Sequence, residues 1–163
     1  MTAHADATTK IPDGPPPPAN RRPRVALQVL RVVAVLHSLT FLAQPVFAGS
    51  YLMGDVDALA LHNANAAVVA VVGFIQLASA IVFFWKGRGQ AWPIWASLAI
   101  ALAVEVQAWM GSERLLMVHL PLGVSLTVGQ LLTTVWLFRA AAATPRPRRE
   151  RRSHPSQRSE RAL

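Results

Sequence analysis

The chain contains no cysteine. It can therefore form no disulfide, no thiolate metal site and no covalent c-type heme, since that attachment needs a C-x-x-C-H motif. The sequence also has no Ser–His–Asp arrangement, no nucleotide-binding loop and no HExxH motif, so it favours a non-enzymatic protein. Acidic residues are scarce, with 8 Asp and Glu against 16 Lys and Arg.

Hydrophobic residues are abundant and make up 53% of the 163 positions. That composition is too apolar for an ordinary soluble domain, and the length excludes several domains. Residues 1–24 are rich in proline and arginine, and residues 141–163 are rich in arginine. Neither tail has enough large apolar side chains to form a core, so we predict that both are disordered. Basic tails of this kind are typical of contact with anionic lipid headgroups. Nucleic-acid binding is not expected, because no aromatic residue interleaves the arginines.

Four apolar runs separate the tails, at about 25–48, 58–85, 92–110 and 115–138. A helix needs about 20 residues to cross the hydrocarbon core of a bilayer. The loops between the runs are short, so successive helices must be antiparallel neighbours. The sequence therefore predicts an all-α integral membrane protein, an up-down-up-down four-helix bundle formed by residues 25–140.

The basic residues alternate between the two ends of this predicted bundle. They precede the first run, fill the second loop and follow the last run, at Arg21, Arg22, Arg24, Lys86, Arg88 and Arg139. The other two loops contain Asp55, Asp57, Glu113 and a single basic residue, Arg114. The positive-inside rule then predicts a multi-pass protein of the cell membrane with both termini in the cytoplasm.

Two histidines and two glutamines recur in matching positions of the two halves. Gln44 lies toward the end of the first run and His62 near the start of the second. Gln107 and His119 have the same relation in the third and fourth runs. Because alternate helices run in the same direction, all four side chains are expected at the outer end of one bundle. Polar groups within a membrane are costly unless they face the interior, so each is a candidate site residue.

A small residue follows each histidine by four positions, Ala66 in one half and Gly123 in the other. Residues four apart share a helical face, so a flat, bulky group could lie there. Two imidazoles opposed across a bundle could be the axial ligands of a b-type heme, giving a low-spin iron suited to electron transfer. Gln44 and Gln107 could hold the imidazole N–H groups or the macrocycle edge. Zinc is less favoured, because two histidines leave a tetrahedral site short of ligands.

This pattern of Gln, a turn with small residues, and His, repeated within four helices, resembles one half of a heme A synthase. The resemblance covers QPVFAG through LHNANA, about 44–66, and QAWMG through VHLPLG, about 107–123. It implies a b-type heme held between histidines on the second and fourth helices, here His62 and His119. The family enzyme has two such halves and an acidic catalytic residue near its substrate heme. This chain has one half and no match to that acidic motif.

The alternative is a cofactor-free structural or accessory membrane subunit. A histidine near a helix start often lies in the headgroup layer, and His119 before Pro121 is an ordinary helix-entry arrangement. Under this interpretation a buried His37 would be neutral and hydrogen-bonded to a neighbour, and Glu105 would be a protonated carboxyl bonded to another helix. Small residues along the helices would allow close packing within the bundle, with a second copy or with a membrane partner.

Overall fold

The computed structural model describes residues 22–144 and residue 146, so the predictions for the remaining tail residues lie outside the described part. In chain order its helices are α1 (Arg22–Leu52), α2 (Asp57–Trp85), α3 (Trp92–Ser112), α4 (Leu116–Leu137) and the short α5 (Ala140–Ala143). Helices α1 to α4 are each long and apolar enough to cross a membrane. The predicted all-α, multi-pass membrane fold is thereby confirmed.

The four long helices form a bundle in which each neighbour in sequence is also a neighbour in space. Helix α1 packs on α2, α2 on α3 and α3 on α4, and α1 with α4 closes the ring. Helices α2 and α4 are therefore diagonal partners. Many valines and leucines point outward, such as Val25, Val46 and Leu132, each more than 60% exposed. An outward apolar surface is expected where the solvent is lipid.

The helix bounds lie within four residues of the predicted ones, and the largest difference is at the end of α1. This helix continues through Pro45 to Leu52. Proline has no N–H to donate to the carbonyl four residues earlier, but transmembrane helices tolerate that loss where neighbours satisfy the backbone. The chain reverses after Leu52 at Gly54, whose φ of 100° is one that L side chains rarely adopt.

The bundle interior is arranged in four layers. We call the end with the α1–α2 and α3–α4 turns the histidine end, and the opposite end the terminal end. Below the histidines lies an apolar layer of Phe41, Val69, Ile100, Val104 and Leu126. Next comes a polar layer of His37, Ser38, Gln76, Ser97, Gln130 and Thr134, all buried. The terminal end is filled by Leu27, Leu30, Ala34, Ala80, Phe83, Leu137 and Ala142.

Two arginines cap helices at the terminal end. Arg31 donates from Nε to the carbonyl of Leu137 at 2.8 Å, the last residue of α4. Arg146 donates from Nη2 to the carbonyl of Phe84 at 3.0 Å, and its guanidinium carbon lies 3.8 Å from the centre of that ring. Cations bonded to the last carbonyls stabilise helix C-termini.

The first residues of the segment predicted as the C-terminal tail also contact the bundle. Ala142, in α5, is 2% exposed and belongs to the terminal apolar layer. Arg146 donates its backbone N–H to the carbonyl of Arg88 at 3.0 Å, in the α2–α3 loop. The chain therefore packs across this loop after leaving α4.

Candidate functional site

The structure brings His62 and His119 close together across the diagonal of the bundle. Their ring centroids are 6.3 Å apart, with an angle of 58° between the ring planes. His62 lies in the second turn of α2 and His119 in the first turn of α4, and both are partly buried. Gln44 and Gln107 lie beside them on α1 and α3, so the four repeated residues meet in one place.

Gln107 and His119 connect α3 to α4 through two hydrogen bonds. His119 Nδ1 lies 2.9 Å from the backbone carbonyl oxygen of Gln107, which can only accept, so Nδ1 carries the proton. In return, Gln107 Nε2 donates to the carbonyl of His119 at 2.8 Å. The imidazole packs against Gly111, where a Cβ would lie 2.9 Å from Cε1 of the ring. A glycine is needed there because a methyl group would push the ring away.

Gln44 and His62 make the corresponding connection between α1 and α2. His62 Nδ1 lies 3.3 Å from the backbone carbonyl oxygen of Gln44. With its amide nitrogen turned toward the histidine, the Gln44 side chain donates to the His62 carbonyl at 3.2 Å and accepts from the Ala66 N–H at 3.2 Å. In that orientation the amide nitrogen also lies 3.1 Å from His62 Nδ1.

The two contacts of His62 Nδ1 require opposite tautomers. A protonated Nδ1 donates to the Gln44 carbonyl, as His119 does in the other half, and leaves Nε2 with a lone pair. An unprotonated Nδ1 accepts from the Gln44 amide and places the proton on Nε2. Only the first tautomer makes His62 equivalent to His119. Among the described residues, no hydrogen bond reaches Nε2 of either ring.

Ala66 and Gly123 make room for the glutamine side chains. A Cβ on Gly123 would lie 2.8 Å from Gln107 Nε2, and Ala66 is in direct hydrogen-bond contact with Gln44. From the sequence, Gln44 and Gln107 could hold either the imidazole N–H groups or the edge of a macrocycle. In the structure the Gln107 backbone carbonyl binds the imidazole N–H of His119, while the side chain bonds to the histidine backbone. Gln107 Oε1 is buried and has no hydrogen-bond partner among the described residues.

Asn65 is a further residue of the site that sequence reasoning did not assign. Its Nδ2 donates to the carbonyl of Thr40 at 2.8 Å and so joins α2 to α1 one turn below His62. In the other half the matching position holds Leu122, so the repeat is not exact here. Asn63, by contrast, is exposed.

Apart from His37, the residues of the polar layer deeper in the bundle were not singled out from the sequence. Gln76 follows His62 by 14 residues and Gln130 follows His119 by 11, close to four and three whole turns. That spacing places each glutamine on the same face as the histidine of its helix. The signal was present in the sequence, since a lone glutamine in a long apolar run is costly unless it faces inward.

Other polar residues considered from the sequence lie outside this interior. Glu105 is exposed on the outer face of α3, and no hydrogen bond joins it to another helix among the described residues. Tyr51 and Arg114 are both exposed at the histidine end, near the two turns.

The metals and cofactors that this site could bind depend on the ligand atoms that its side chains offer. Within the described residues, no group of three or more His, Asp or Glu side chains could hold a metal ion. A metal ion bound by His62 and His119 would therefore need a cofactor that supplies its remaining ligands. A tetrapyrrole supplies four equatorial nitrogens and leaves two axial positions for imidazoles.

The fold and the site together define a small multi-pass membrane protein with a pair of opposed histidines in its interior. No family model, no curated protein and no solved structure matched the chain when it was compared with each.

Proposed function

We propose that this protein binds one b-type heme between His62 and His119 and serves in electron transfer or heme handling. The single observation that carries the proposal is the 6.3 Å separation of the two ring centroids. Metal–imidazole bonds are about 2 Å long, and each ring centre lies about 1 Å beyond its bonding nitrogen. Two axial imidazoles on one metal therefore have centroids about 6 Å apart. The angle between two such rings is unrestricted, so 58° suits the arrangement.

The hydrogen bonds around the rings support the same proposal. A metal-binding histidine usually donates its second ring N–H to a carboxylate, a backbone carbonyl or water, which fixes its tautomer and orientation. His119 does so through the Gln107 carbonyl, and His62 does so through the Gln44 carbonyl in its Nδ1-protonated tautomer. In that state both rings would offer Nε2 to a metal. Bound heme would supply one-electron redox chemistry, with two imidazoles favouring the low-spin state.

The surroundings suit a flat apolar cofactor with polar edge groups. The apolar layer formed by Phe41, Val69, Ile100, Val104 and Leu126 lies about two turns below the histidines. It would contact the apolar edge of the macrocycle and exclude water. Tyr51 and Arg114, exposed at the histidine end, would be available to the propionates. The resemblance to one half of a heme A synthase remains a prediction.

The orientation in the membrane is part of the proposal. Lys86, Arg88 and Arg139 all belong to the terminal end, which supports placing that end and both termini in the cytoplasm. The heme site would then face the outside. Because the chain has no cysteine, single cysteines added in the N-terminal tail or at Ser112 can be tested with an impermeant reagent in intact cells. Labelling of the tail cysteine without labelling at position 112 would contradict this orientation.

The same hydrogen bonds also favour a second candidate, a cofactor-free accessory subunit. The contacts of Gln44 with His62 and of Gln107 with His119 close both helical hairpins without any ligand. Such a protein would use its histidines as structural connections and would act by binding a membrane partner.

An absorbance spectrum of the detergent-purified protein, expressed with heme supplied, separates these candidates. The heme proposal expects a Soret band with reducible α and β bands of low-spin b-type heme, at one heme per chain. A well-folded, colourless protein would overturn that proposal and leave the accessory subunit.

A further inference from the structure

We infer that His37, in the buried polar layer, takes up a proton at Nε2 when the heme site gains an electron. This inference rests on the proposed function, and it assigns a role to a cluster of residues that heme binding does not use. It is argued from the hydrogen-bond pattern of the layer, the free nitrogen of His37 and the charges around it.

The polar layer joins all four helices through one connected set of hydrogen bonds. Gln76 and Gln130 pair across the bundle diagonal, with Nε2 of Gln130 donating to Oε1 of Gln76 at 2.8 Å and the reverse bond at 3.1 Å. Gln76 Nε2 also donates to Ser97 Oγ at 3.2 Å, and Gln130 Nε2 also lies 3.2 Å from the carbonyl of Ala34. The Ala34 carbonyl requires the amide nitrogen of Gln130 beside it, and the Gln130 amide in turn determines which end of the Gln76 amide faces α1.

The end that faces α1 is the oxygen, and this determines the tautomer of His37. Gln76 Oε1 lies 3.0 Å from His37 Nδ1 and can only accept, so Nδ1 carries the proton. Nε2 is then an unprotonated acceptor. Nε2 is buried and has no hydrogen-bond partner among the residues that the structure describes, and the whole residue is 1% exposed.

The space around Nε2 is suited to one added proton. A Cβ on Gly73 would lie 3.5 Å from Nε2 and 3.3 Å from Cε1, so the ring packs closely over this glycine. The backbone of Val69, one turn earlier on α2, borders the same ring. The Val69 carbonyl can only accept a hydrogen bond, so it cannot bond to an unprotonated nitrogen. Protonation would turn Nε2 into a donor for that carbonyl while the Nδ1 bond to Gln76 stays in place.

No second ionisable side chain enters the layer among the side chains that the structure describes. The others lie on the exposed face of α3 at Glu105, toward the terminal end at Arg31, Lys86, Arg88, Arg139 and Arg146, or toward the histidine end at Tyr51, Asp55, Asp57, His62, Glu113, Arg114 and His119. A charge on His37 would therefore respond to the heme site without a neighbouring carboxylate to neutralise it.

The coupling follows from charge and distance. The His37 ring packs over Gly73, which follows His62 by 11 residues on α2, or about 16 Å along the helix axis at 1.5 Å per residue. Charges at this distance interact more strongly in a low-dielectric interior than in water. If heme is bound, a one-electron reductant would lower the positive charge at the heme site by one. A proton from the aqueous phase would then form an N–H bond with the Nε2 lone pair of His37 and restore the charge.

The test is the pH dependence of the midpoint potential of the purified, heme-loaded chain. For the wild type we expect the potential to fall with rising pH, by less than the tenfold change in the redox equilibrium constant per pH unit, about 59 mV for one electron, that full coupling would give. His37→Gln should lose at least half of the steepest wild-type slope, because it removes the proton acceptor of the polar layer and leaves only groups outside that layer, such as the heme propionates, to titrate. Thr133→Val is the matched control, because this buried hydroxyl bonds only to the carbonyl of Gly129 in its own helix. It should keep the wild-type slope.

A wild type with a flat potential, or a His37→Gln variant with the wild-type slope, would overturn the inference while leaving the heme proposal intact. A colourless wild type would overturn both. If His37→Gln does not fold, ¹⁵N-histidine NMR of the wild type decides the question. His37 Nε2 should gain a proton on reduction at constant pH, and an unchanged signal would overturn the inference.

Discussion

Gln107 and His119 bind each other in both directions: the imidazole Nδ1–H donates to the glutamine backbone carbonyl at 2.9 Å, and the glutamine side chain donates to the histidine backbone carbonyl at 2.8 Å. Neither bond uses Nε2. The two bonds therefore orient the imidazole ring and leave Nε2, the nitrogen that a metal would bind, free of hydrogen bonds within the described residues. Gln44 and His62 occupy the equivalent positions in the first hairpin.

The close fit of Gln107 against α4 gives a first prediction. Gly123→Ala would place a Cβ 2.8 Å from Gln107 Nε2, so the glutamine must move and its bond to His119 must lengthen. Gln107 Nε2 ends a flexible side chain that can move, so the cost is mainly that of the weakened hydrogen bond, about 0.5–1.5 kcal/mol. We expect a lower melting temperature in detergent and a smaller yield of bound heme. Gly129→Ala is the control, because nothing lies within 4 Å of its added Cβ. Equal stability of the two variants would show that Gln107 does not require Gly123.

The ligand assignment gives a second prediction. His62→Ala and His119→Ala should each abolish the low-spin spectrum or convert it to a high-spin one, because low-spin iron needs both axial imidazoles. His37→Ala should keep a low-spin spectrum, since this ring lies in another layer. Gln107→Leu should shift the potential or weaken heme binding without removing a ligand, because it releases only the contact with the His119 backbone. Retention of the low-spin spectrum in either His62→Ala or His119→Ala would exclude that residue as a ligand.

The polar layer gives a third prediction. Gln76→Leu would leave His37 Nδ1, Ser97 and Gln130 without a shared partner, and each unsatisfied buried group costs about 1–3 kcal/mol. We expect a marked loss of thermal stability in detergent. The double variant with Gln130→Leu should lose less than the sum of the two single variants, because both partners of the amide pair become apolar together. Additive losses would mean that the two amides do not act as a pair.

The terminal end gives a fourth prediction. Truncation after Arg146 should leave the folded bundle intact, because the residues beyond it are rich in proline and arginine and could not form a core. Arg146→Ala should lower stability by about 1 kcal/mol or less, since it removes the bond to the Phe84 carbonyl and the contact with that ring. The melting temperature in detergent measures the stability of the truncated protein and of the Arg146→Ala variant. Loss of membrane insertion after the truncation would contradict this prediction.

The sequence alone was sufficient for the architecture. An apolar run of about 20 residues can form few stable backbone structures in a bilayer other than a helix, because every backbone group must be hydrogen-bonded within the segment. Short loops then leave only antiparallel neighbours. The predicted helices agree with the observed ones to within four residues, and the largest difference is the extension of α1 from the predicted end near Ala48 to Leu52.

The sequence also singled out His62, His119, Gln44 and Gln107, since polar residues in apolar runs stand out and these four repeat. What it could not supply was which atom of each residue meets which partner. The imidazole of His119 donates to the backbone carbonyl of Gln107 and not to its side chain, and Gln76 and Gln130 bond to each other beneath the site. Both features depend on how the four helices rotate and pack against one another. Those rotations are set by contacts between residues that are far apart in the sequence, such as the hydrogen bond from the Thr134 hydroxyl to the Ala34 carbonyl, 100 positions away. Local pattern determines a helix and its inward face, and only the tertiary structure decides the hydrogen bonds made there.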